Sequence, residues 1–227
     1  QISSQSVRQT MKLSVVIPAY NESKNIGKVL DEISSLIVAT GDVENFEIIV
    51  VDDHSSDNTL SAVSQLKNPN YEVIRLSRRS GSHIAIRAGL TRATGDAVLC
   101  ISADGQDNPA MLKEMIYKIN SGYNVVWAIR NNRDEPFYSK FFASLFYSLL
   151  KSLTATEIDS TNIANADFYI LDRKIVNAVN ECKERNTSVF GLILWLGFRQ
   201  SHVMYERRER FSGKSKWNFR SRMKLAK

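Results

Sequence analysis

Twice in its first half, this chain runs an apolar strand straight into aspartates. The first run is Glu47-Ile48-Ile49-Val50-Val51-Asp52-Asp53. The second is Ala97-Val98-Leu99-Cys100-Ile101-Ser102-Ala103-Asp104, followed by Gly105-Gln106-Asp107. Apolar runs without polar alternation read as strands buried on both faces, as in a parallel sheet covered by helices. Carboxylates at their ends aim fixed negative charge into the crevice at the carboxyl edge of such a sheet, where open α/β sheets bind ligands. Grouped carboxylates there suit a hard divalent cation, whose usual companion is a phosphorylated substrate. The expectation is a site for a nucleotide or another phosphate ester.

The rest of the first half alternates strand and helix. Leu13–Pro18 reads as a strand, and Glu22–Val38 carries Ile26, Val29, Leu30, Ile33, Leu36 and Ile37 at helical spacing. Ser56-Asp57-Asn58-Thr59 predicts a helix start, and the helix would run to about Leu66. Further strands are expected over Tyr71–Leu76, Ala97–Ile101 and Val125–Ile129. Helices are expected over Ser82–Arg92 and from Asn108-Pro109 onward. Strands separated by helices predict βαβ units and a mainly parallel sheet. In the second half, Tyr138 to Leu153 forms one Phe- and Leu-rich helical stripe, suited to a core or to a membrane interface. Ala166–Leu171 reads as a short strand and Arg173–Glu184 as a helix.

Charge divides the 227 residues unevenly. From Tyr205 to Lys227, nine basic residues stand against two acidic ones, a net +7, which leaves about −1 for the other 204. A basic tail of this kind calls for an anionic partner or surface. The remainder has no basic stripe and no nucleic-acid motif, so no nucleic-acid partner is expected. No run reaches the ~18 apolar residues of a membrane span. Cys100 and Cys182 are too few for a disulfide framework, and Cys100 reads as a buried thiol in a reducing compartment. The expected organisation is a tail over residues 1–10, a main domain over 11–204 and a basic amphipathic segment over 205–227. Met11 is the expected natural start.

Three segments converge on one sheet edge: Pro18-Ala19-Tyr20-Asn21-Glu22, Asp52-Asp53-His54-Ser55-Ser56-Asp57-Asn58-Thr59 and Ser102-Ala103-Asp104-Gly105-Gln106. In this order and spacing they resemble glycosyltransferase family 2, the inverting enzymes of the GT-A fold. Val126-Trp127-Ala128-Ile129-Arg130, Asn165-Ala166-Asp167-Phe168, Glu184-Arg185-Asn186, Trp195-Leu196-Gly197-Phe198 and Arg207–Trp217 resemble its polyprenyl-phosphate branch, which includes dolichol-phosphate mannose synthase and bactoprenol glucosyltransferase-like enzymes.

The resemblance implies an α/β GT-A sheet flanked by helices, with amphipathic helices toward the C-terminus. It implies a donor site that binds a UDP- or GDP-sugar through Pro18, Ala19, Tyr20, Glu22, Asp52, Asp53, Gly81, Ser102 and Ala103. Asp104 and Gln106 would hold Mg²⁺ or Mn²⁺, and Ser102 stands where the family carries a first carboxylate. Asp104 and Asp167 are the implied catalytic residues, with Asp167 at the acceptor. Arg130, Arg133, Arg207, Arg210 and Lys214 are candidates for the acceptor phosphate, since a guanidinium fork matches phosphate oxygens. The implied activity is sugar transfer to a polyprenyl (undecaprenyl or dolichyl) phosphate at the cytoplasmic face of the cell membrane, in cell-envelope assembly. Transfer to a sugar hydroxyl and sugar-nucleotide binding with little turnover are the alternatives. Homo-oligomerisation is left open. A dinucleotide enzyme is not expected, because no Gly-x-Gly-x-x-Gly follows the first strand.

Overall fold

The computed structural model describes residues 10–130, 168–184, 188–209 and 211. Among the described residues, seven strands form one sheet in the order β3-β2-β1-β4-β6-β5-β7. They are β1 Met11–Ala19, β2 Val43–Asp52, β3 Tyr71–Arg75, β4 Ala97–Cys100, β5 Val125–Arg130, β6 Phe168–Asp172 and β7 Gln200–Tyr205. Only β6 runs antiparallel to its neighbours. The carboxyl ends of the other six strands therefore share one edge with the start of β6. The expected α/β sheet is thus present, and it is mostly parallel.

Alternate residues of β1 feed two cores. Leu13, Val15, Ile17 and Ala19 pack with α1 (Ile26–Thr40), α2 (Thr59–Ser64) and α4 (Leu112–Asn120). Val16 and the opposite-facing residues of the other strands pack with α3 (Ser82–Arg92), α5 (Arg173–Glu181) and α6 (Val189–Trp195). Both faces of the sheet are covered, which is why these strands read as continuous apolar runs. Trp127, Tyr169 and Phe168 are fully buried. Trp127 and Tyr169 lie with ring centroids 5.0 Å apart.

The crevice follows from strand order and strand length. The chain steps outward from β1 to β2 to β3, then returns to add β4 on the other side of β1, so the order reverses between β1 and β4. The ladder between them ends at Val16 and Cys100, whereas β1 continues along β2 to Ala19. Pro18, which has no N–H, falls where β1 has only β2 beside it. Beyond Val16 the two strands part, and the gap is the topological switch point where α/β sheets take ligands.

Several boundaries differ from expectation. Helix α1 begins at Ile26 rather than Glu22, because the Glu22 carbonyl closes a turn by accepting from the Asn25 and Ile26 amides. Helix α5 ends at Glu181 rather than Glu184, where the Arg87 guanidinium captures the Cys182 and Glu184 carbonyls. Strand β7 was not expected. It runs through Tyr205, which is 4% exposed, so the boundary drawn between residues 204 and 205 cuts off the last strand residue. The stripe over residues 138–153, the initial tail and most of the basic segment lie outside the described residues. Among the described residues no helix is long and apolar enough to cross a membrane.

At the amino end of the sheet, Gly95 sits against β1. An added Cβ would lie 2.6 Å from the Ser14 nitrogen and 2.7 Å from the Lys12 oxygen. Those are backbone atoms and cannot swing aside. Gly95→Ala is expected to cost about 2 kcal/mol of stability, read as a lower urea midpoint with an unchanged slope.

Candidate active site

The three loops at the β1/β4 gap are built differently. In the loop after β1, Asn21 adopts a positive φ of 54°. Its amide oxygen accepts from the Ser56 and Asp57 backbone nitrogens at 2.8 and 3.3 Å, tying this loop to the one after β2. The Glu22 nitrogen donates to Thr59 Oγ1 at 2.8 Å. The Asp57 carboxyl accepts from Ser23 and Thr59. Burial pulls the Asp57 carboxyl upward, but these hydrogen bonds outweigh it and hold the group below the ordinary carboxylate range.

Asp52 and Asp53 divide the work at the end of β2. Asp52 is fully buried. Its Oδ1 accepts from the Ser55 nitrogen at 3.0 Å, and its Oδ2 faces the Arg75 Nε at 3.5 Å. Asp53 faces the loop before α3, where Oδ1 accepts from the Ser80 nitrogen at 2.6 Å and Oδ2 from the Gly81 nitrogen at 2.9 Å. That loop carries Arg79, whose guanidinium carbon lies 4.1 Å from the Tyr20 ring centroid. Of the residues assigned to the nucleotide, Pro18, Tyr20, Ser102 and Gly81 are open to solvent to differing degrees. Ala19, Glu22, Asp52, Asp53 and Ala103 lie beneath them.

The loop after β4 alternates. Ser102, Asp104, Gln106 and Asn108 are partly open, whereas Ala103, Gly105, Asp107 and Pro109 are buried. Ser102 Oγ joins the two carboxylates, at 2.8 Å from Asp104 Oδ1 and 2.5 Å from Asp107 Oδ2. The Gln106 nitrogen donates to Asp104 Oδ1 at 3.1 Å. Asp107, which is 2% exposed, is an anchor: its Oδ1 accepts from Tyr205 Oη at 2.7 Å and lies 4.0 Å from Arg130 Nη2. Burial, reinforced by the Asp107 charge, pushes the Tyr205 hydroxyl well above its ordinary range, so it remains a proton donor.

Two expected phosphate ligands fall among the described residues, and both contact groups of the loop after β4. The Arg130 side chain is 12% exposed and turned toward Asp107, and its Nε donates to Tyr205 Oη at 3.3 Å. Arg207 reaches the loop itself, with Nη2 donating to Gln106 Oε1 at 2.5 Å. Arg133, Asp167, Arg210 and Lys214 lie outside the described residues. At the end of β4, burial in the core on the α3 face raises the Cys100 thiol to about 12, in keeping with the buried thiol expected.

Asp104 and Gln106 present hard oxygen donors on the open side of the loop, the chemistry that Mg²⁺ and Mn²⁺ accept. Among the described residues no cluster of three or more His, Cys, Asp and Glu could hold a metal ion.

Sequence reasoning singled out open and buried residues alike and missed three remote supports. Tyr205, Arg208 and Glu32 were assigned no role, and each acts on the loop from far along the chain.

Comparison with known proteins places these features in context. The family model for glycosyl transferase family 2 matches residues 14–182. An uncharacterised glycosyltransferase of Synechocystis is 38% identical over 213 residues, which cover 92% of this chain and 65% of that protein. The chain thus spans just under two thirds of that relative's length. Among solved structures, a Staphylococcus aureus TarS structure in complex with UDP-GlcNAc is 25% identical with a TM-score of 0.61, over 88% of this chain and 59% of that one. A mannosyltransferase from Pyrobaculum calidifontis, in complex with GDP-Man and Mn²⁺, shares the fold at 20% identity and a TM-score of 0.61, over 89% and 58% of the two chains.

Proposed function

This chain belongs to glycosyltransferase family 2, and from that premise we propose that it transfers a sugar from a UDP- or GDP-sugar to a polyprenyl phosphate, with inversion, at the cytoplasmic face of a membrane. The observation that carries the reading is the crevice at the β1/β4 gap. A loop scaffold suited to a nucleoside flanks one side and the Asp104–Gln106 oxygens flank the other, where Arg207 also reaches Gln106.

The nucleoside rests against the β1 and β3 loops, near Tyr20 and Gly81. Asp104, assisted by Gln106, would hold Mg²⁺ or Mn²⁺ against the diphosphate, where the cation would neutralise charge developing on the leaving group. An acceptor phosphate oxygen bonds to the anomeric carbon as the bond to the nucleoside diphosphate breaks. A phosphate is already ionised at neutral pH, so Asp167 orients the acceptor and does not have to remove a proton. Arg133, Arg207, Arg210 and Lys214 gather the acceptor phosphate, and the basic segment meets the anionic membrane surface.

The test is incubation of the full-length protein with undecaprenyl phosphate, Mn²⁺ and labelled sugar nucleotides. A lipid-linked sugar is expected from one donor, and Asp167→Asn is expected to retain at least about a tenth of the rate. A sugar-hydroxyl acceptor needs a general base, whose removal costs about 10²–10⁴-fold. A loss of that size, or no lipid product from any common donor, contradicts the lipid-phosphate reading.

A further inference from the structure

The segment after β7 turns back onto the loop after β4. Arg208 fixes it with three contacts. Its backbone nitrogen donates to the Gln106 carbonyl at 2.9 Å. Its guanidinium pairs with Glu32 of α1 through Nη1 and donates from Nη2 to Asn108 Oδ1 at 2.7 Å. The planar fork reaches helix and loop together, which a lysine ammonium cannot do in one geometry.

The consequence travels along Gln106. Its carbonyl is held by Arg208 and its side-chain oxygen by Arg207, while its nitrogen holds Asp104 Oδ1 at 3.1 Å. Phe211 closes the same contact from above. Gly105 has a φ of 75°, and an added Cβ would collide with the Phe211 ring. Gln106, one of the two groups that hold Asp104 Oδ1, is therefore tied to the β7 exit segment, whereas the other, Ser102 Oγ, is tied through Asp107 to Tyr205 of β7 itself.

We propose that Arg208 and Glu32 form a clip that positions Asp104 and Gln106 for the metal-bound donor, so that the segment after β7 controls donor binding as well as facing the acceptor. Both are positioning residues that act through Gln106. The inference rests on the donor-site reading above, and its test separates the two.

Four proteins are compared: wild type, Arg208→Glu, Glu32→Arg and the double swap. Amide hydrogen exchange over residues 102–108, without metal or nucleotide, reads the clip alone. Each single reversal is expected to speed exchange several-fold, and the swap to restore it. Calorimetric titration of Mn²⁺ with UDP and with GDP then reads the coupling. Each single reversal is expected to weaken nucleotide binding about tenfold, the size typical of lost supporting contacts at a metal site. The swap is expected to return affinity to within about threefold of wild type. A glutamate at position 208 cannot ligate phosphate, so restoration by the swap means positioning.

Exchange unchanged by the single reversals overturns the clip. Altered exchange with wild-type nucleotide affinity overturns its control of the donor. Failure of the swap to restore either readout also overturns the proposal. Nucleotide binding absent from wild type, with exchange behaving as expected, leaves the clip standing and removes the donor-site reading and the coupling built on it. Should a reversal fail to fold, Arg208→Lys replaces it. That variant keeps the charge without the fork and is expected to give an intermediate exchange rate, whereas wild-type exchange overturns the clip.

Discussion

Asp104→Asn is expected to lower kcat/KM by about 10²–10³-fold, equivalent to about 2.7–4 kcal/mol of lost transition-state stabilisation. Removing the charge takes away the carboxylate best placed to face a cation and a departing diphosphate. The folded state should hardly notice. Asp104 is partly open, and the asparagine side-chain oxygen still accepts from Ser102 Oγ and the Gln106 nitrogen, the two contacts made by the aspartate. A melting temperature within a few degrees of wild type, alongside the kinetic loss, marks a site residue. Steady-state nucleotide release with Mn²⁺ and circular-dichroism melts make the comparison.

Asp53→Ala is expected to fail in the opposite way. This carboxylate is 5% exposed, and both of its oxygens accept backbone N–H groups, from Ser80 and Gly81. Truncation strands two amides and releases the loop that carries Arg79 over Tyr20. Hydrogen bonds to charged groups contribute about 1.5–3 kcal/mol each, and partial solvation of an exposed loop offsets some of the loss. A net cost of about 3 kcal/mol follows, a fall in melting temperature of roughly 6–12 °C for a chain of this size. Donor binding should fall with it. Asp53→Asn restores one acceptor and sets an NH₂ against the other amide, so it is expected to recover at most half of the lost stability.

The contrast between these aspartates explains how far the sequence could be read. Strands β1, β2, β4 and β5 were legible because burial on both faces leaves an unbroken apolar run. Strand β7 was not. It is an edge strand in which only Val203 and Tyr205 are buried, and Ser201 and His202 interrupt the pattern. Placing the carboxylates at the crevice needed only strand direction, a local property. Telling ligand from scaffold needed partners remote in sequence. Asp107 is committed by Tyr205, 98 residues away. Nothing in the spacing of Asp104-Gly105-Gln106-Asp107 distinguishes the partly open Asp104 from the buried Asp107. Arg130 shows the same limit, since its place at the end of β5 was legible and its inward turn toward Asp107 was not.

We propose that the β1/β4 gap is a metal-dependent sugar-nucleotide site. Calorimetric titration of UDP and of GDP into the full-length protein, with Mn²⁺ and then with EDTA, tests it most directly. The account predicts one nucleotide bound per chain with Mn²⁺, weakened at least about tenfold by EDTA and by Asp104→Asn. Absence of binding, or the same affinity in EDTA as in Mn²⁺, would contradict it.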